Sequence, residues 1–258
     1  MKTPNEFERF AEAIVSLPVN FSSSFPLPAC LKMAEEGRLS TYYAPFDHVR
    51  QTARIVIVGI TPGRKQALEA ISVARQQINC GATIETILSK AKAMASFAGP
   101  MRLNLISMLD NIGIPDRLGI HSTAELWASR NDLVHFTSVL RYPVFETDEN
   151  FGGNGLMRSR FLVAQVEAWF ATEAQSLRNA LFIPLGPAVL SACTHLLTKG
   201  IIKENQILRG LPHPSGANAE RIAYFMGRKP KELLSTKTSS ASIDAGRELA
   251  LKGVSSWK

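Results

Sequence analysis

Arg54-Ile55-Val56-Ile57-Val58-Gly59-Ile60-Thr61-Pro62-Gly63 (RIVIVGITPG) is a run of β-branched residues that ends in a turn rich in glycine and proline. Uninterrupted apolar character with little alternation marks a strand covered on both faces, the usual environment of a parallel sheet. Similar runs occur at Leu133–Leu140 (LVHFTSVL) and Leu181–Leu185 (LFIPL), with a weaker one at Gln206–Leu211 (QILRGL) that Arg209 and Gly210 interrupt. Pro184 predicts that the third run ends early or lies at an edge, since proline cannot donate to a ladder.

Helical periodicity fills the intervals: Asn5–Leu17, Arg64–Ile78, Ile84–Phe97, Met101–Ile112, Ala124–Arg130, Leu156–Leu177, Pro187–Thr198 and Ala217–Met226. Strands alternating with helices predict right-handed crossovers and a parallel sheet with helices on both faces. The expected fold is therefore α/β, a three-layer α/β/α sandwich around a central four-stranded parallel sheet, with an α+β mixture as the alternative. One domain is expected over residues 1–234, with its core at 54–228; Ser235–Ser242 reads as a polar linker and Ile243–Leu251 as a short C-terminal helix, together filling 235–258.

Composition narrows the class. The 258 residues carry 45% hydrophobic and 20% charged side chains, enough for a sizeable core and too many apolar groups for disorder. The formal charge of +7 permits a polyanionic partner without requiring one. Three cysteines with no CxxC pair, and five histidines with no HxxxH spacing, predict no metal site, no iron–sulfur cluster and no disulfide framework. No apolar run approaches the ~20 residues of a membrane span, and Glu6, Glu8 and Arg9 are unlike a secretory signal. A cytoplasmic monomer with no organic cofactor is the expectation.

Ligands of open parallel sheets bind beyond the carboxyl ends of the strands, so the turns that follow the strands are where chemistry is expected. They are Gly59–Gln66, the irregular stretch from Arg141 to Gly155, Gly186-Pro187, and Pro212-His213-Pro214-Ser215-Gly216-Ala217-Asn218. All are expected to converge on one edge and form a cleft. The first turn has neither Walker nor GxGxxG spacing, which disfavours a triphosphatase or dinucleotide enzyme; a turn of this kind also joins a strand to a helix with no ligand at all. In the last turn, a histidine between prolines precedes Ser215, Gly216 and a helix start that suits a phosphate. Asn218, Arg221, Arg228, Lys229 and Lys231 add donors and positive charge.

Together these residues resemble the uracil-DNA glycosylase superfamily over about Ile55 to Arg228. Gly59–Gly63 is similar to its G-x-x-P-G loop, His213–Asn218 to its H-P-S loop, Phe136–Pro143 to its base-reading strand and Phe182–Gly186 to its strand ending in Leu-Gly. The resemblance implies a glycosylase that acts on DNA with no metal or other cofactor. Thr61 would stand at the attacking water and His213 beside the departing base as the catalytic pair. Gly59, Ile60, Pro62, Gly63 and Ser138 would surround the base, and Arg64, Lys65, Ser215, Gly216, Asn218 and Arg221 would hold the DNA. The chain beyond Asn218 would lie near the duplex, from which the nucleotide must be flipped.

Two positions depart from the family pattern. Thr61 stands where the family has Asp, Asn or Glu, and Ser138 where it often has Asn, which pairs with both edges of uracil. Three consequences are open. Another carboxylate takes over, from Asp47, Asp110, Glu146, Asp148 and Glu149; or the substrate is a bulkier modified pyrimidine, such as a hypermodified phage-type cytosine, in DNA repair or phage defence; or the domain binds DNA without turnover. The aromatic stretch Tyr42–Phe46 either packs beneath the sheet or walls the base pocket, and the segment Gln66–Ala98 is either extra packing or a pocket rim. A small-molecule α/β hydrolase lacks its G-x-S-x-G elbow here.

Overall fold

The computed structural model describes residues 6–94 and 100–257. In chain order the strands are β1 (Lys32–Glu36), β2 (Leu39–Tyr42), β3 (Ile55–Gly59), β4 (Val134–Ser138), β5 (Val144–Glu146), β6 (Glu149–Asn150) and β7 (Leu181–Pro184). The helices are α1 (Glu6–Val15), α2 (Arg64–Asn79), α3 (Ile84–Met94), α4 (Pro100–Asn111), α5 (Ile114–Leu118), α6 (Arg160–Gln165), α7 (Thr172–Ser176), α8 (Pro187–Thr198), α9 (Ala219–Phe225) and α10 (Ser240–Ser256). The fold is mixed α/β. The helix ends expected at Asn5 and over Ala95–Phe97 lie outside the described residues.

Three of the expected strands form one sheet in the order β4-β3-β7. β3 pairs in parallel with β7, from Ile55 opposite Leu181 to Val58 opposite Pro184, and Ile55, Val56, Ile57 and Val58 are fully buried. Pro184 takes the last position of β7, and the Leu185 N–H closes the edge on the Val58 carbonyl. The expected fourth strand is reduced to one parallel bridge between Ile207 and Phe182, because Gly210, at φ +93°, turns the backbone out of the extended region. The sheet is thus three strands and a bridge rather than four strands.

A second sheet, antiparallel in the order β1-β2-β5-β6, has no counterpart in the sequence expectation. β1 (KMAEE) is charged and almost wholly exposed, so it carries no apolar signature. Gly37 turns β1 into β2 at φ +58°, and Thr147 and Asp148, both at positive φ, make the two-residue hairpin loop between β5 and β6. Glu146 and Glu149 face each other across that hairpin.

Several helices also differ from their expected form. Ala124–Arg130 is replaced by a 3-10 turn at Thr123–Trp127, whose Ser122 cap accepts the Ala124 N–H. Leu156–Leu177 divides into a 3-10 turn at Leu156–Arg158, α6 capped by Ser159, a π-turn at Val166–Ala171 and α7. The helix expected from Ala217 starts as a 3-10 turn at Gly216–Asn218 before α9. The terminal helix runs from Ser240 to Ser256, longer than Ile243–Leu251 at both ends.

The chain divides into two compact units. The first comprises Met1–Val49, Ile60–Ser96 and Phe136–Thr172. Its core joins Phe7, Phe10 and Ile14 of α1 to Ala67, Ala70, Ile71 and Ala74 of α2 and to Tyr43, Tyr142 and Phe145. The periodic small residues of α2 let α1 and α3 approach it closely. The second unit comprises Arg50–Gly59, Phe97–His135 and Glu173–Lys258. Here β3 and β7 are buried with Leu105, Met108, Cys193, Leu196 and Phe225. α10 seats Gly246 directly on Gly210, where a Cβ on either residue would collide with the other's carbonyl oxygen. No described helix is long and apolar enough to cross a membrane.

Candidate functional site

In the first unit, the turn after β3 is fastened to the stretch after β4. The Ile60 carbonyl accepts the Leu140 N–H at 3.0 Å. Thr61 Oγ1 donates to the Tyr142 carbonyl at 3.1 Å and accepts the Val144 N–H at 3.0 Å. The hydroxyl's one proton is therefore committed, and one lone pair remains for a water. Pro62 is buried, while Ile60, Gly63 and Ser138 are half-buried. Gly63 has φ −77° and does not need to be glycine for its backbone; its N–H is capped by Gln66 Oε1, and the following Arg64 N–H by Asn150 Oδ1. Arg64 turns its guanidinium onto the carbonyls of Ser22, Ser24 and Pro26, and Lys65 is exposed.

Asp47 sits at the end of the aromatic stretch. Its two carboxylate oxygens accept the phenol O–H groups of Tyr43 at 2.9 Å and Tyr142 at 2.6 Å. Burial pushes its pKa up, opposed by the two phenols and by the positive charge of Arg141. Burial and the Asp47 charge push both tyrosines up in turn, so they remain protonated donors. Tyr43 also stacks on Phe10 at 4.6 Å. The packing alternative for Tyr42–Phe46 is the one realised: Tyr42, Tyr43, Ala44 and Phe46 are core residues.

The second unit holds Gly59 and the loop from His213 to Arg221. His213 Nδ1 accepts the Ser215 N–H at 3.2 Å. Burial holds the imidazole below its ordinary pKa, so the ring is neutral at pH 7, and with Nδ1 accepting, its proton sits on Nε2. Gly186, after β7, lies against this ring; a Cβ there would stand 3.1 Å from His213 Cδ2. Asn104 of α4 donates to the Pro214 carbonyl at 2.9 Å. Asn218 donates to Ser215 Oγ, and Arg221 donates to Asn218 Oδ1 and the Lys237 carbonyl. Gly216 is exposed, and Ser215 and Asn218 are half-buried. Lys229, which the sequence offers as free positive charge, is paired with Glu220 at 2.7 Å.

The other carboxylates have local duties. Asp110 accepts the Thr123 N–H and hydroxyl and the Ser122 hydroxyl, capping the turn at Thr123. Glu146, Asp148 and Glu149 form the exposed β5–β6 hairpin. No group of three or more His, Cys, Asp or Glu side chains among the described residues could hold a metal ion. Sequence reasoning missed Asn104, Asn150 and the Asp47–tyrosine cluster. Their partners lie 110, 86 and 95 residues away, beyond any local pattern; the neighbouring Tyr43, four residues from Asp47, was the one available signal.

No family model and no solved structure matches the chain. It is 34% identical over 241 residues to the uncharacterized protein YoxB of Bacillus subtilis (strain 168), an overlap of 92% of this chain and 94% of YoxB. Near full-length identity of that order places the two in one group: the chain belongs to the YoxB family.

Proposed function

We propose that this chain is a monofunctional DNA glycosylase of the uracil-DNA glycosylase type, acting on a flipped-out modified pyrimidine. The observation that carries it is the neutral His213, whose Nδ1 accepts the Ser215 N–H, so that its proton is left on Nε2 as a donor. A neutral donor suits an enolate-like oxygen on a departing pyrimidine, since it gains strength as charge develops there. His213 follows the Ile207 bridge, and ligands of open parallel sheets are taken beyond such strand ends. The β4-β3-β7 order continued by that bridge supports an α/β/α sandwich built on three strands and a bridge.

In the reaction, the bond from the sugar carbon to the base nitrogen breaks, and its electron pair passes onto the base, where His213 donates a hydrogen bond. Water adds to the oxocarbenium-like sugar and gives its proton to solvent. Thr61 Oγ1, with its proton on the Tyr142 carbonyl, keeps one lone pair that a water can use and does not act as a base. Asp47, clamped by two phenols, holds Tyr142 and through its carbonyl Thr61. A pocket read by Ser138 rather than an amide suits an enlarged base such as a hypermodified cytosine.

The test is incubation of end-labelled duplexes carrying uracil, a thymine mismatch or hypermodified cytosines, followed by alkali. Strand cleavage at the modified base is expected; no cleavage on any duplex removes the enzyme reading. The Thr61 hydrogen bonds favour a second reading, a DNA-binding module of the same fold without turnover, which predicts salt-sensitive binding and intact strands.

A further inference from the structure

The loop from Pro18 to Pro26 has no part in either motif turn, yet it presents Val19 at 95% and Phe25 at 62% exposure. Single exposed apolar residues are ordinary; what sets this loop apart is how firmly it is held. The Arg64 guanidinium donates to the carbonyls of Ser22 (2.6 Å), Ser24 (2.9 Å) and Pro26 (3.0 Å), and lies over one side of the Phe25 ring at 5.2 Å. Arg75, three turns along the same α2 helix, reaches the Pro18 carbonyl at 3.4 Å. Both arginines are bound to neutral carbonyls, and among the described residues neither pairs with a carboxylate. The stretch Pro18–Leu31 itself contains no charged residue, so the loop offers no carboxylate to Arg64 behind the ring or to Arg75 at Pro18.

We propose that this loop is a nucleic-acid platform: Phe25 stacks on a base of the bound strand while the charges of Arg64 and Arg75 attract its phosphates. The platform extends the DNA reading above, and rests on it, to a surface joined to the Gly59–Gly63 turn through the Arg64 backbone. A fixed aromatic ring loses little conformational freedom on stacking, and a guanidinium behind the ring adds a cation–π component. One aromatic and one valine on a turn lack the continuous apolar helix face that membrane association needs, which favours a base over a lipid surface.

The experiment uses the full chain and a single-stranded oligonucleotide containing 2-aminopurine, whose fluorescence reports stacking, with the melting temperature of each variant as a fold control. Phe25→Ala is expected to weaken binding about five- to hundredfold and to abolish the 2-aminopurine signal, with Phe25→Trp restoring both and Phe25→Leu neither. Phe25→Ala leaves the salt dependence unchanged, while Arg75→Gln reduces its slope by about one. Unchanged affinity in Phe25→Ala overturns the platform, as does binding of the wild-type chain to anionic phosphatidylserine vesicles, but not DNA, that Phe25→Ala removes. Base release by the wild type with undiminished DNA affinity in Phe25→Ala would sink the platform alone; Phe25-dependent stacking with no base release would sink the glycosylase reading alone.

Discussion

Replacing Gly186 by alanine perturbs the backbone and the His213 ring at once. Gly186 has φ +97° and ψ 169°, a region open essentially to glycine, and holding another residue there costs about 1–3 kcal/mol. The new Cβ would stand 3.1 Å from His213 Cδ2, so the ring must shift by a few tenths of an ångström. That shift lengthens a Ser215 N–H bond already at 3.2 Å, adding about 0.5–1.5 kcal/mol. The sum is about 1.5–4.5 kcal/mol. Gly63→Ala is the matched control: φ is −77° and the nearest atoms, on Asn150, lie 3.6 Å from the new Cβ, so a change within about 1 kcal/mol is expected. Urea unfolding of the two variants and the wild type, read by far-UV dichroism, gives both numbers. Equal losses in the two, or a neutral Gly186→Ala, would refute the account of how the His213 loop is seated.

Thr61→Val deprives the Tyr142 carbonyl of a donor and the Val144 N–H of an acceptor, for a loss of about 2–4 kcal/mol, while Thr61→Ser stays within about 1 kcal/mol; urea midpoints at constant m-value compare them. Because burial lowers the folded-state pKa of His213, the unfolded chain takes up its proton first. Stability from this group is therefore complete above the ordinary histidine pKa near 6.5 and declines as pH falls from there through the depressed folded value. A pH series of unfolding free energies should show that decline in the wild type and a shallower one in His213→Gln; identical slopes would contradict the buried neutral ring. Gly210→Ala drives a Cβ into the Gly246 carbonyl at φ +93° and should cost about 2–5 kcal/mol, with early proteolysis of α10 as the readout.

What could be read from the chain followed from local chemistry. The β-branched run at Ile55–Val58 is β3, and α8 spans Pro187–Thr198 as expected, because a Gly-Pro start and an apolar stripe specify it without distant help. The antiparallel sheet was illegible because β1 is charged and exposed and its partner hairpin turns on Thr147-Asp148 rather than Asn-Gly. Gln206–Leu211 looked like a strand by composition, but Gly210 was recruited to let α10 touch the backbone. Thr61 and His213 stood out by motif. Their hydrogen-bonded states did not, since the Thr61 proton goes to a carbonyl 81 residues later and the His213 tautomer is set by the Ser215 N–H. The glycosylase resemblance supplies only proposed roles; the hydrogen bonds show that the Thr61 proton is held by a carbonyl.

The most direct measurement of the central claim is mass-spectrometric counting of free base against abasic sites after single-turnover incubation with hypermodified-cytosine duplex. Equal amounts of released pyrimidine and abasic sugar are expected from the wild type, falling by orders of magnitude in His213→Ala. A wild-type chain that binds the duplex yet releases no base, or a rate untouched by His213→Ala, would contradict it.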